Sequence, residues 1–97
     1  MIEFDSFQST QVVHNSSAQQ FELHVGGKLC LLQYRIANGK MVIFHTEVPE
    51  TIQNRGLAER MTKTALDYAR VQNLKVEPRC PYTAAYLRKH REYCDLL

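Results

Sequence analysis

The sequence predicts a mixed α+β (α/β) fold, an antiparallel meander of four strands that passes into a βαβ unit and closes with a C-terminal helix, in the order β-β-β-β-α-β-α. Three observations carry this reading. Apolar residues alternate with polar ones up to about Val48, paired turn residues interrupt that alternation, and the period lengthens toward that of a helix after Pro49. The first hairpin is placed at Gln11 to Asn15 and Gln19 to Val25, where Phe21, Leu23 and Val25 alternate with Gln20, Glu22 and His24. Gly26-Gly27 turns the chain into a third strand, Lys28 to Ile36. That strand is apolar on both faces, with Leu29 and Leu31 opposite Cys30, Leu32, Tyr34 and Ile36, and is therefore expected at the centre of the sheet. Asn38-Gly39 is the strongest turn signal, since both residues tolerate positive φ, and it leads to a strand from Met41 to about Val48.

Beyond Pro49, Leu57, Met61, Ala65 and Tyr68 recur at helical spacing, and Ala58 and Ala69 widen the same face. Glu59, Lys63 and Asp67 line the opposite side in favourable four-residue steps, and Asn73 is a stop signal that ends the helix between Val71 and Asn73. Leu74 to Pro78 reads as a short strand. A helix separates it from the fourth strand, so the two should run parallel in a right-handed βαβ unit. Pro81 opens a second helix to roughly His90, with Ala84, Ala85 and Leu87 available for packing and Arg88 and Lys89 outside.

Composition narrows the possible functions. The chain has 97 residues, room for a single domain spanning 1–97 that folds as a monomer or weak homodimer. Its charge of +2 is small and no basic stripe interleaved with aromatics is present, so nucleic acid is not an expected partner. Met1 to Thr10 lacks the basic end and apolar run of a secretory leader, and no stretch is long and apolar enough to span a bilayer. A cytoplasmic protein without membrane association is expected. Cys30, Cys80 and Cys94 are odd in number and widely spaced, so neither a disulfide framework nor a metal site is expected, and Cys30 reads as a small buried strand residue.

The chemistry concentrates at the strand-to-helix junction, Gln53-Asn54-Arg55-Gly56-Leu57-Ala58. Backbone N–H groups at a helix start have no intrahelical partner, and with the positive end of the helix dipole they suit a phosphate; Gly56 lets the main chain approach closely and Arg55 can add a charged donor. From the residues alone, an ordinary strand-to-helix loop remains the alternative.

Gln53-x-x-Gly56-x-Ala58 resembles the pyrophosphate loop of the GNAT superfamily of N-acetyltransferases. The wider set His45-Thr46-Glu47-Val48-Pro49, the loop, Leu74-Lys75-Val76 and Cys80-Pro81-Tyr82 is similar to a small subfamily of these proteins, over roughly the half of the chain from Met41 onward. The resemblance implies a reduced GNAT fold, acetyl-coenzyme A as the bound cofactor, and transfer of its acetyl group to an unidentified amine or protein acceptor. Full-size relatives place helices between the first two strands and add strands at the end. Here Asn15 to Ala18 leaves space only for a turn, and Leu97 follows soon after the second helix, so the acceptor side should be open.

Transfer from a thioester to an amine needs a neutral amine, a donor for the developing oxyanion and a proton for the leaving thiolate. Glu47 is the candidate base, directly or through water, with His45 two residues earlier on the same strand face, and the Val48 N–H is the candidate oxyanion donor. A loop-stabilising glutamate and a structural histidine are the plainer readings of that pair. Cys80, beside Pro81 at the carboxyl edge of the sheet, is a candidate nucleophile, proton donor or pocket-shaping residue. Tyr82 and Tyr86 are candidate cofactor contacts, with Tyr86 preferred, and Arg79 and Lys89 are candidate phosphate partners. A non-catalytic acyl-coenzyme A-binding or interaction module is the alternative function, and a thiol redox domain built on Cys80 is disfavoured for want of a neighbouring resolving cysteine.

Overall fold

The computed structural model describes residues 11–97, and the reading of Met1–Thr10 lies outside them. The chain forms β1 (Val13–Asn15), β2 (Gln20–Val25), β3 (Lys28–Ala37), β4 (Lys40–Glu47), a 3-10 turn at Glu50–Ile52, α1 (Leu57–Val71), β5 (Lys75–Pro78), α2 (Pro81–Lys89) and a second 3-10 segment at Arg91–Leu96. The predicted order of strands and helices holds, and the 3-10 segments are additions that no hydrophobic period marks. Turn chemistry explains the boundaries. Asn38 and Gly39 take φ of 52° and 75°, the doubly left-handed path of a two-residue hairpin turn whose twist matches its strands. Between β1 and β2 the Asn15 side chain accepts hydrogen bonds from the Ala18 N–H and the Ser17 hydroxyl, closing the connection within four residues.

The five strands lie in the order β1-β2-β3-β4-β5. Neighbours are antiparallel from β1 to β4, and β5 runs parallel to β4. β3 is central, as its composition predicts, but among the described residues the helices cover one face of it. Phe21, Leu23, Cys30, Leu32, Met41 and Ile43 point inward and share one apolar cluster with Leu57, Met61, Ala65 and Leu66 of α1 and Tyr86 and Leu87 of α2. On the other face Leu29 stays 39% exposed, because no helix of the described residues packs there.

α1 buries the expected Leu57, Met61, Ala65 and Ala69, and Thr62 and Leu66 join them. Full burial of a residue such as Leu57 or Met61 contributes about 1.5–3 kcal/mol, so this face is the principal reason the helix stays on the sheet. The helix ends as its stop signal predicts: Asn73 adopts φ 59° and the Leu74 N–H reaches back to the Ala69 carbonyl at 2.8 Å, a Schellman closure. α2 differs from expectation in the face it buries. Thr83, Tyr86 and Leu87 are buried, while Ala84 and Ala85 are only half-buried, because the following 3-10 segment folds back and sets Tyr93 beside Tyr86.

β4 carries the irregularity that shapes the site. Gln33 pairs with His45 but Tyr34 pairs with Ile43, so Phe44 is an extra residue with no opposite number, a β-bulge. The alternation reverses across it. Met41 and Ile43 face the core before the bulge and Thr46, opposite buried Leu32, faces it afterwards, while His45 and Glu47 turn outward. β5 accompanies β4 only from Lys40 to Ile43, where the N–H groups of Arg79 and Cys80 both reach the Ile43 carbonyl, at 2.9 and 3.0 Å. Beyond that point the two strands part. Among the described residues no helix is long and apolar enough to cross a membrane.

Candidate functional site

Where β4 and β5 part, a recess of about 370 Å³ opens at the start of α1. Thr46 and Val48 form its β4 wall; Gln53, Asn54 and Gly56 its rim; Leu57, Ala58 and Glu59 its helical floor; and Tyr82 of α2 its far side. The loop is held from within. Pro49 starts the 3-10 turn, the Ile52 N–H bonds the Pro49 carbonyl at 3.0 Å, and Gln53 Nε2 donates to the Val48 carbonyl at 3.0 Å. Gln53 therefore ties the end of the loop to its beginning.

Gly56 is the N-cap of α1 at φ +75°, a conformation that L side chains rarely adopt. Having no side chain, it leaves the N–H groups of Leu57, Ala58 and Glu59 without a cap, and helix geometry gives them no intrahelical acceptor. A Cβ at Gly56 would meet only Glu59 Oε1, at 3.9 Å, so the space before the amides is otherwise open. The positive end of a 15-residue helix, uncapped and facing a recess, is suited to an anion. Glu59 is the discordant group, a carboxylate from the first turn that lines the same recess. Arg55 is exposed on the loop and is not among the residues lining the recess.

Cys80 stands at the N-cap of α2 and is 6% exposed, its sulfur 3.6 Å from the Thr46 hydroxyl that lines the recess. Burial pushes the thiol pKa up. Hydrogen bonding to the ionised sulfur outweighs this, from the Thr83 N–H, the Thr46 hydroxyl, the Tyr82 N–H and the Thr83 hydroxyl, and the net direction is below the ordinary thiol value. Cys30, by contrast, lies in the core with its pKa raised by burial alone.

The remaining predicted residues are distributed differently. His45 Nε2 and Glu47 Oε1 are 3.1 Å apart, confirming that they share a strand face, but both are exposed and on the outward side of β4. Tyr82 lines the recess, its pKa raised by burial and then by the Glu59 charge. Tyr86 sits deeper, stacked on His90 with ring centroids 3.9 Å apart, and burial, Tyr93 and Glu59 together push its pKa up to about 12. Arg79 is engaged by Glu77, Nε to Oε2 2.5 Å, and Lys89 is exposed on the last turn of α2. Sequence reasoning passed over Thr46, Glu59 and Thr83. Glu59 was legible as the first acidic residue after the glycine, whereas Thr46 and Thr83 bear no mark without the bulge and the α2 cap.

These features define an α+β protein with an uncapped helix start opening into a recess between diverging parallel strands. Residues 20–96 match the family described as GCN5-related N-acetyl-transferase, and the chain belongs to that family. It is similar to protein NATD1 of Xenopus tropicalis, 30% identical over 89 residues that make up 89% of this chain and 82% of that one. NATD1 of Gallus gallus is 31% identical over 83 residues, 82% of this chain and 76% of its own, and the Homo sapiens protein is 30% identical over 82% and 74%. The solution structure of a GCN5-like candidate N-acetyltransferase from Staphylococcus aureus superposes with a TM-score of 0.72 at 24% identity, covering 89% of this chain and 85% of the other.

Proposed function

We propose that this protein binds acetyl-coenzyme A at the β4–α1 junction and transfers the acetyl group to an amine, with a protein side chain as the class of acceptor best suited to an open site. The observation that carries the reading is the uncapped helix start at Gly56, φ +75°, facing an open recess. The N–H groups of Leu57, Ala58 and Glu59 would hold the pyrophosphate, with Asn54 and Gln53 at the rim and Tyr82 beside the pantetheine arm. When bound, the cofactor supplies the acetyl group as a thioester and leaves as a thiolate.

The chain's own groups divide the remaining work. The Val48 N–H is assigned to the carbonyl oxygen as charge grows there. Glu47 takes a proton from the amine, directly or through water, and His45, in contact with it, passes that proton to solvent. Cys80 holds at Sγ the proton that the departing thiolate requires. Three free thiols at Cys30, Cys80 and Cys94 are in keeping with the reducing conditions of a cytoplasm.

Titration calorimetry with acetyl-coenzyme A tests the reading: saturable binding with Kd below about 1 mM is expected, and its absence at millimolar ligand would overturn it. A second reading, a module that binds the cofactor without turning it over, is favoured by the exposure of the His45–Glu47 pair outside the recess. Consumption of acetyl-coenzyme A across a panel of amines and peptides separates the two. Rates at background for the native chain and for Cys80→Ala and Glu47→Gln alike would select the module.

A further inference from the structure

Thr83 is fully buried, and among the described residues its hydroxyl is the buried side-chain oxygen left without a hydrogen-bond partner. An unsatisfied hydroxyl in the core costs about 1–3 kcal/mol, and helical threonines ordinarily avoid this by bonding the carbonyl four residues back. α1 does so twice: Thr62 reaches the Ala58 carbonyl at 2.8 Å and Thr64 the Arg60 carbonyl at 2.9 Å. Thr83, the third residue of α2, has no equivalent recourse, because four residues back the chain is still leaving β5. Its hydroxyl follows the Cys80 N-cap by three residues and, without a hydrogen bond in the resting thiol, is among the groups that favour the ionised sulfur.

On the other side of that sulfur, Thr46 Oγ1 lies 3.6 Å from Sγ and accepts from the thiol proton. A hydroxyl rotates freely between accepting and donating, and a thiol sulfur is a poor acceptor while a thiolate is a strong one. In the neutral state, then, one hydroxyl accepts from the thiol and the other is idle. Once the proton leaves, both can donate to the sulfur, joined by the N–H groups of Tyr82 and Thr83 at the helix start. We infer that Thr46 and Thr83 are positioning residues that stabilise the Cys80 sulfur once it ionises, Thr83 being kept unsatisfied in the resting thiol so that it has a partner when the proton departs. The ionisable groups around the sulfur do not replace this device. Glu59 of α1 and Tyr82 of α2 line the neighbouring recess and bring no positive charge to it, Arg79 of the β5 exit is engaged by Glu77, and His45 and Glu47 of β4 face outward.

The place of this device in acyl transfer rests on the proposed function: the Cys80 proton goes to the leaving thiolate as its carbon–sulfur bond breaks, and the hydroxyls stabilise the sulfur anion until solvent returns a proton. The ionisation itself does not depend on that reading. Its test is the pH profile of iodoacetamide alkylation on the cofactor-free protein, with the Cys80 peptide resolved from Cys30 and Cys94 by mass spectrometry. Thr83→Val is expected to slow Cys80 alkylation at pH 7 about tenfold, moving the midpoint up by about one unit, while leaving the protein as stable as before or more so. Thr83→Ser should restore the profile, and Thr46→Val should shift it in the same direction as Thr83→Val. A profile unchanged in Thr83→Val, or one lost together with the folded state and not recovered in Thr83→Ser, overturns the inference. A shifted profile in a protein that binds no acetyl-coenzyme A leaves the inference standing and removes the acetyltransferase reading instead.

Discussion

At Glu59 a carboxylate shares the recess with the uncapped amides of the α1 start, 3.9 Å from where a Cβ of residue 56 would lie. It is stabilised there by the helix dipole, and it repels any other anion brought to the same amides. Glu59→Gln keeps the shape and removes the charge. It is expected to tighten acetyl-coenzyme A binding about two- to fivefold, with the advantage shrinking as salt is raised, and calorimetry at two ionic strengths reads both. His14 makes a second residue-scale case. Its ring stacks on Phe21 with centroids 4.2 Å apart, its Nε2 meets the Tyr34 hydroxyl at 2.5 Å, and desolvation lowers its pKa. A histidine that protonates less readily when folded leaves stability intact above its unfolded pKa of about 6.5 and withdraws it as the pH falls below that value. The urea midpoint should therefore drop between pH 7 and pH 5, and by less in His14→Gln.

Among the elements, those whose ends demand unusual backbone were plain in the residues. Asn38-Gly39, Asn73 and Pro81 each announce a dihedral angle, and the turn, helix stop and helix start fall where they stand. Asn73 at φ 59° should tolerate glycine without loss, whereas Asn73→Val is expected to cost about 1–2 kcal/mol, measured as a fall in the denaturation midpoint. The bulge at Phe44 announces nothing, because an extra strand residue needs no particular side chain. Its effect is nevertheless large: period two is conserved on either side, but its phase flips, and Thr46 rather than Glu47 reaches the recess. Of the ten predicted cofactor contacts, Val48, Gln53, Asn54, Gly56, Leu57, Ala58 and Tyr82 line that recess because they depend on the loop and the helix phase, not on the strand phase, while Arg55, Tyr86 and Lys89 do not line it. Tyr82 and Tyr86 share a helix face one turn apart, and only the packing of His90 and Tyr93 decides which is deeper.

For the molecule as a whole, the described helices lie on one face of the sheet, which places the recess and the His45–Glu47 pair on opposite sides of β4. In the proposed reaction the cofactor and the acceptor therefore reach the same strand end from different directions, and among the described residues no helix walls off a bulky acceptor. Integrity of this thin arrangement falls on β3, which is bonded to β2 through the whole of Gln20–Val25 and to β4 from Lys40 to Glu47. In deuterated solvent that double ladder acts as a clock for global opening: amides of Cys30, Leu32 and Tyr34 should exchange last, at the rate set by complete unfolding, while those of three-residue β1 exchange through small local excursions. Equal rates in the two strands would mean that the sheet opens only as one unit.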